Sequence, residues 1–180
     1  MGYPHLFERL TIVDLSPANR HEMYRELKLE DKQTANGPID VLFTSFTDLS
    51  VIRGSSTDMV WMGAAIEHVN EEDGLRVFKE VRRVLRPGGN VCLDTNNRRI
   101  SELHVQGQGW VHPEHQLEYS VAHLQNNLRE SGFEIVDSWG VCEMSRTFET
   151  GQFDYTDFIF GCGLSRNVEA CNLQYYRCEI

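Results

Sequence analysis

The sequence has no run of apolar residues long enough to cross a membrane and no excess of basic residues. A membrane helix needs about 20 apolar residues in succession, and the chain nowhere approaches that length. Its N-terminus, MGYPHLFERL, has no basic segment followed by an apolar run, so no secretory signal is predicted. The apolar fraction is 41% and the charged fraction is 24%, as in ordinary globular proteins. We therefore expect a cytoplasmic protein with one domain over residues 1–180.

Positive charge is scarce, since the formal net charge is −10. An acidic surface repels a phosphate backbone, which argues against a nucleic-acid partner. The one local basic set is Arg82, Arg83 and Arg86. These side chains fall at the end of a predicted helix, where solvation and the helix dipole account for them. A small-molecule partner is therefore favoured.

Paired cysteine motifs are also absent. Five cysteines occur, at positions 92, 142, 162, 171 and 178, and none forms a CxxC pair. Their odd number and wide spacing predict neither a zinc ribbon nor a disulfide framework. Cys92 lies in an apolar run and is expected to be a small buried side chain. Reduced thiols are consistent with the cytoplasm.

Apolar patterning predicts strands that alternate with helices. Strands are expected at 11–14, 39–43, 58–62, 90–94, 133–141 and 173–178. Helices are expected at 16–29, at 71–85 and after an N-terminal cap at Ser120, and residues 155–164 suit either a helix or a strand. This alternation is typical of an α/β fold with a mainly parallel sheet covered by helices on both faces. Ligands bind such sheets beyond the carboxyl ends of the strands.

One segment carries a specific resemblance. Residues 58–97, DMVWMGAAIEHVNEEDGLRVFKEVRRVLRPGGNVCLDTNN, resemble the central block of class I, Rossmann-like S-adenosylmethionine-dependent methyltransferases. TIVDLSP at 11–17 is similar to the second strand of that family, and residues 112–140 are similar to its late helix and strand. The resemblance implies S-adenosyl-L-methionine as cofactor and an antiparallel final strand.

The resemblance also implies residues that bind the nucleoside part of the cofactor. Asp14 would accept hydrogen bonds from the ribose hydroxyls, as the acid after the second strand does in dinucleotide-binding domains, and Leu15 would line the adenine. A strand-ending Asp that only caps a helix is the alternative. Ser45 and Phe46 occupy the position that meets the adenine, although the usual acid is absent there. Asp48 could take that role, or the segment could be a plain loop.

The resemblance also implies contacts with the methionine end of the cofactor, from residues at the end of the DMVWM strand. Met62, Gly63 and Ala64 occupy the family position that faces this end. Glycine and alanine there would permit close approach of the backbone to the cofactor.

Histidines provide the candidate catalytic groups. His68 could act as a base, or with Glu67 it could fix the turn and the start of the next helix. His112 and His115 lie in WVHPEHQLEY, which could supply a general base or an aromatic cover over the substrate pocket. The spacing of the histidines alone does not define a third ligand, so no metal site is predicted.

The glycine-rich turn that the family places after its first strand is missing. About ten residues precede TIVD, and Gly2 is the only glycine among them. We expect a chain incomplete at its N-terminus, with a misassigned first codon or a degenerate homologue as the alternatives. A sheet without its central strand would expose edges and favour self-association. The predicted function is methyl transfer to a small-molecule acceptor, at oxygen, with a non-catalytic binding module or an inactive fragment as the alternative.

Overall fold

The computed structural model of the chain describes residues 7–20, 22–161 and 163–180. The backbone forms two compact units, Met1–Leu49 and Ser50–Ile180. The expectation of one domain over residues 1–180 stays a prediction. None of the described helices is long and apolar enough to cross a membrane.

The N-terminal unit contains a sheet of three strands. Its strands are β1 (Leu10–Asp14), β2 (Lys32–Thr34) and β3 (Gly37–Phe43), in the order β1-β3-β2. β1 and β3 run parallel, and β2 and β3 form an antiparallel hairpin. Asp14 pairs with Phe43 in the register. The carboxyl ends of β1 and β3 therefore lie side by side.

The prediction of a helix over residues 16–29 is wrong. Two short 3-10 helices occupy this stretch, Pro17–Asn19 and Glu22–Tyr24. Most described residues between Pro17 and Glu30 are exposed. An isolated helix of this length is marginal in water unless it packs an apolar face. The helix-compatible sequence is therefore not enough to form a helix here. Arg20 is the buried exception, and its guanidinium donates to the carbonyls of Leu15 and Leu27 at 2.9 Å and 2.7 Å.

The C-terminal unit contains a sheet of five strands flanked by helices. Its elements, in chain order, are β4 (Thr57–Gly63), α1 (Glu71–Val84), β5 (Leu85–Asn96), α2 (Arg98–His104), α3 (Val121–Glu130), β6 (Glu134–Glu143), α4 (Ser145–Thr150), α5 (Thr156–Phe160), β7 (Leu164–Ser165) and β8 (Cys171–Glu179). The strand order is β4-β5-β8-β6-β7. β4 and β5 are parallel, and β8 is antiparallel to both of its neighbours, as expected for the final strand. This mixed α/β architecture agrees with the predicted fold class.

Local signals in the sequence explain where these elements begin. The side chain of Asn70 accepts a hydrogen bond from the backbone N–H of Asp73 at 3.0 Å and caps α1. The predicted cap at Ser120 is confirmed, because its hydroxyl accepts from the backbone N–H of His123 at 3.3 Å. Such caps satisfy N–H groups that have no partner within the helix. The ambiguous stretch 155–164 contains both α5 and the start of β7.

The core of the C-terminal unit lies between one face of the sheet and the helices α1 and α3. Alternation along β5 places Val91, Leu93 and Thr95 on one face, and all three are buried. Phe78 of α1 and Leu124 of α3 are fully buried. The remaining helical core residues are Val77, Val81, Val84, Val121 and Leu128. Burial of these apolar side chains fixes both helices against the sheet.

Large apolar side chains on β4 remain exposed. Met59 is 53% exposed and Trp61 is 60% exposed. Within the described parts of the chain, β4 pairs only with β5, and β1 pairs only with β3. An open edge with exposed apolar residues suits association with another chain, and self-association stays a prediction.

Replacing Leu124 tests the helix–sheet core. We expect Leu124→Ala to lower the free energy of unfolding by about 2–5 kcal/mol, because it leaves a cavity in the core. Asn126→Ala on the exposed side of the same helix is the control and should change it by less than about 0.5 kcal/mol. Trp61, Trp110 and Trp139 all lie in the C-terminal unit, so urea unfolding monitored by tryptophan fluorescence measures this difference. Equal effects of the two substitutions would contradict the described core.

Three described thiols are buried, which confirms the expectation for Cys92. Cys171 and Cys178 are also buried, whereas Cys142 is half-buried. Cys162 lies outside the described residues. Desolvation by burial raises the pKa of Cys171 to about 11. Burial likewise raises the pKa of Cys178 to about 12. The neutral thiol therefore dominates at both positions near neutral pH.

Alkylation provides a test of this thiol chemistry. The thiolate is the reactive form, and at pH 8 a raised pKa keeps it a minor species. We expect iodoacetamide to modify Cys142 well before Cys171 and Cys178 in the folded protein, as measured by peptide mass spectrometry. Unfolding in urea should remove the difference. Early labelling of Cys171 without unfolding would contradict its burial.

Candidate active site

The three predicted catalytic histidines lie close together in the C-terminal unit. His68 ends a short 3-10 helix, Ile66–His68, that follows β4. His112 and His115 lie in the segment 110–119. The ring centroid of His68 is 5.1 Å from that of His115 and 6.2 Å from that of His112, and the latter two are 5.4 Å apart. The fold therefore forms one imidazole cluster beyond the carboxyl end of β4.

Backbone hydrogen bonds attach the segment 110–119 to the turn that carries His68. The backbone N–H groups of Gln116 and Leu117 both donate to the carbonyl of Glu67, at 2.8 Å and 3.2 Å. The side-chain amide of Gln116 donates to the carbonyl of His68 at 2.9 Å. These contacts fix the two segments relative to each other.

The buried carboxylate of Glu118 orients His115. Its Oε1 lies 2.7 Å from Nδ1 of His115 and accepts from the backbone N–H of Val111 at 2.9 Å. Its Oε2 accepts from the hydroxyl of Ser101. Desolvation by burial acts to raise the pKa of Glu118, but the hydrogen bonds from Ser101, His115 and Val111 outweigh it and the pKa is lowered. With Nδ1 engaged, Nε2 of His115 is the nitrogen left for a ligand.

A second buried carboxylate, Glu67, lies beside the imidazoles. Glu67 is 1% exposed, and its Oε2 accepts a hydrogen bond from the hydroxyl of Thr95 at 2.8 Å. Burial raises the pKa of Glu67, against lowering contributions from its hydrogen bonds and from His115 and His68. One carboxylate oxygen of Glu67 and one nitrogen each of His68 and His115 lie within 4.8 Å of one another. These three side chains could hold a metal ion.

The carboxyl end of β4 contains the residues predicted to face the methionine end of the cofactor. Met62 is buried, whereas Gly63 and Ala64 are exposed. Ala64 adopts a left-handed φ of 46°, and its N–H donates to the backbone carbonyl of Asp94 at 3.2 Å. A Cβ at Gly63 would lie 2.9 Å from the indole nitrogen of Trp61. A side chain at this position would therefore require the exposed indole of Trp61 to shift.

The N-terminal unit contains the residues predicted to bind the nucleoside. Asp14 ends β1, and its side chain is 34% exposed. Its Oδ1 accepts from the backbone N–H of Leu15 at 2.7 Å, and its Oδ2 forms an ion pair with Arg20 at 3.0 Å. Leu15 is exposed. Arg20 thus orients the carboxylate of Asp14.

The loop after β3 contains the predicted adenine contacts. The hydroxyl of Ser45 lies 2.7 Å from that of Thr47, and the carbonyl of Ser45 accepts from the backbone N–H of Asp48 at 3.0 Å. Phe46 is half-buried. Ser45 therefore stabilises its own turn, and a role for Ser45 and Phe46 in adenine binding stays a prediction.

Comparison with known proteins identifies the family. A family model described as a methyltransferase domain matches residues 2–93, slightly more than half of the chain. The chain belongs to this family. No curated protein matches the sequence.

Solved structures share the fold of this methyltransferase domain. A methyltransferase from Mesorhizobium loti is 15% identical, with a TM-score of 0.60 over 96% of this chain and 81% of that chain. One from Methanosarcina mazei is 21% identical, with a TM-score of 0.57 over 95% and 81%. A chain from the Haloferax volcanii complex with the Trm112 methyltransferase activator is 13% identical, with a TM-score of 0.60 over 96% and 82%. These similarities establish the Rossmann-like α/β fold.

The methyltransferase domain implies S-adenosylmethionine as cofactor. The chemistry of Asp14 suits this group, because an ionised carboxylate at a strand end has lone pairs for ribose hydroxyls beyond those that Leu15 and Arg20 use. The exposed side chain of Leu15 adds an apolar contact. No G-x-G-x-G motif is present in the sequence for the carboxypropyl arm. The sequence did not single out Thr95 or Glu118, because Thr95 contacts Glu67 across 28 residues and the Ser101 partner of Glu118 lies 17 residues away.

Removing the carboxylate of Glu118 tests its role in forming the site. We expect Glu118→Ala to lower the free energy of unfolding by about 3–5 kcal/mol, because it leaves buried partners unpaired. Glu102→Ala is the matched control, because Arg98 forms ion pairs with both Glu118, at 3.5 Å, and the exposed Glu102, at 3.2 Å. An exposed helical pair contributes about 0.3–0.5 kcal/mol. Urea unfolding measures both, and a Glu118 effect no larger than the control would contradict this role.

Proposed function

We propose that this methyltransferase domain transfers the methyl group of S-adenosylmethionine to an oxygen of a small-molecule acceptor. The observation that carries the proposal is the cluster of His68, His112 and His115 beyond the carboxyl end of β4. Ligands of α/β sheets bind at such strand ends. The cofactor supplies an activated methyl group, so the protein has to align the acceptor and, for a hydroxyl, take up its proton.

Histidine suits the proton transfer because it titrates near neutral pH. Of the three imidazoles, we assign the base to His112. Its side chain is 39% exposed, whereas that of His115 is 8% exposed and is held by Glu118. His112 is thus more accessible to an acceptor than His115.

The cofactor contacts belong to the same proposal. We assign Asp14 and Leu15 to the ribose and adenine, with Ser45 and Phe46 as further adenine contacts. We assign Met62, Gly63 and Ala64 to the methionine end. For the N-terminal residues, the exposed and oriented carboxylate of Asp14 supports the assignment.

The nature of the acceptor is inferred from charge. A formal charge of −10 disfavours a polyanionic nucleic acid, so a small molecule in the cytoplasm is the proposed partner. The alternative, a non-catalytic binding module, would retain the fold and transfer no methyl group. Self-association would not change the proposed methyl transfer.

Calorimetric titration with S-adenosylhomocysteine tests cofactor binding. We expect saturable heat with the unaltered chain and binding about 10–100-fold weaker for Asp14→Asn, because a hydrogen bond to a charged group contributes about 1.5–3 kcal/mol. Asp40→Asn is the control on the neighbouring strand β3 and should bind normally. Because Asp14 also pairs with Arg20, the melting temperature of each variant is recorded beside the heat. Absence of heat with the unaltered chain would reject the proposal.

Transfer of a radiolabelled methyl group to a panel of small hydroxyl compounds tests the proposed base. We expect His112→Ala to lower kcat about 100-fold, since general-base catalysis contributes about 10²–10⁴-fold. The affinity for S-adenosylhomocysteine should not change. His104→Ala, on α2 outside the cluster, is the control. Cofactor binding without transfer to any acceptor would indicate the non-catalytic module.

A further inference from the structure

Glu67, His68 and His115 form a set of side chains with the chemistry of a metal site. One ligand atom from each lies within 4.8 Å of the other two. Metal–ligand bonds of about 2.0–2.2 Å place tetrahedral ligand atoms about 3.4 Å apart. Small torsional changes at half-buried His68 and His115 would close that difference.

The hydrogen bonds around the set resemble those that surround metal ligands. A ligating histidine usually donates its second ring nitrogen to a carboxylate, which fixes the ring and raises its basicity. Here Glu118 lies 2.7 Å from Nδ1 of His115 and is itself held by Ser101 and Val111. Thr95 holds one oxygen of Glu67 at 2.8 Å. Glu67 and His115 are thus each oriented by a partner outside the set.

The position of the ligands is also fixed by the backbone. Glu67 and His68 are adjacent, and two N–H groups of the His115 segment donate to the carbonyl of Glu67. The site therefore joins two chain segments that already form one rigid contact. A buried carboxylate beside two imidazoles is costly unless a charge compensates it, and a cation would supply that charge.

We propose that Glu67, His68 and His115 bind one divalent transition-metal ion. Two imidazoles with one carboxylate favour first-row transition metals such as Zn²⁺, Co²⁺ or Fe²⁺ over Mg²⁺ and Ca²⁺, which prefer oxygen ligands. Three protein ligands leave coordination positions open for water or for an oxygen of a small molecule. The binding of the ion does not depend on the proposed methyl transfer, because it uses only these three side chains.

Titration of the chelator-treated full chain with Co²⁺ tests the proposal. We expect one equivalent to bind, with a visible d–d absorption spectrum of nitrogen and oxygen ligation and no sulfur charge-transfer band. Zn²⁺ should displace it, and a tenfold excess of Mg²⁺ should not. A spectrum with a sulfur band would show cysteine ligation, and equal competition by Mg²⁺ would show an oxygen site, and either result would overturn the proposal.

Variants locate the bound ion. His68→Ala and His115→Ala should each weaken Co²⁺ binding at least tenfold, and Glu67→Gln should do the same while it retains an acceptor for Thr95. His123→Ala is the matched control, because His123 pairs with Glu71 at 2.7 Å and is not one of the three ligands. Circular dichroism establishes that each variant is folded.

A thermal measurement keeps the test independent of any single variant. A ligand that binds only the folded chain raises its melting temperature as the ligand concentration exceeds Kd. We expect Zn²⁺ to raise the melting temperature of the unaltered chain and of His123→Ala, and to have little effect on His68→Ala. Equal Co²⁺ affinity in all variants, or no Co²⁺ binding by the unaltered chain, would overturn the proposal. Binding of S-adenosylhomocysteine is measured separately, so failure of the metal site is distinguishable from failure of the proposed function.

Discussion

The carboxylate of Glu118 is the interaction on which the arrangement of the candidate site depends. It has no exposed side-chain surface, and it joins helix α2 through Ser101 to the segment 110–119 through Val111 and His115. A buried carboxylate without these donors would be strongly destabilised. The donors therefore hold Glu118 in place, and Glu118 in turn holds His115 against the turn that contains His68.

Elements that bury one face at regular spacing could be predicted from the sequence. The periodic apolar residues of α1 and α3 and the apolar run of β5 correspond to buried positions. The apolar run of β4 predicts the strand, although most of its residues are exposed. Helix α2 could not be predicted in this way. Its N-terminal cap is Asn97, whose side-chain amide donates to the carbonyls of Val168, Glu169 and Cys171. These contacts arise only after the chain has folded. Conversely, residues 16–29 have a helix-compatible sequence but little buried surface to stabilise a helix.

The candidate site likewise combines features that the sequence predicts with features that depend on long-range contacts. The candidate chemistry of His68, His112 and His115 was inferred from residue type and, for His68, from its place after β4. Their mutual distances were not, because they depend on hydrogen bonds from Gln116 and Leu117 to the carbonyl of Glu67. Sequence spacing within a loop does not specify how the loop packs on another segment. For the same reason the sequence did not predict a third metal ligand, although Glu67 is adjacent to His68.

The buried carboxylates of the cluster carry a desolvation penalty, and this penalty is evidence for a functional role. Glu67 and Glu118 are both nearly inaccessible to solvent, and burial acts to raise the pKa of each. Apolar residues of similar volume would pack in their place without that desolvation cost, and replacing buried charged groups in this way is often stabilising. Departures of this kind from a well-packed apolar core are expected at functional sites. Because the costly groups surround two imidazoles at the carboxyl end of a parallel strand, the cluster is better explained by binding chemistry than by stability of the fold.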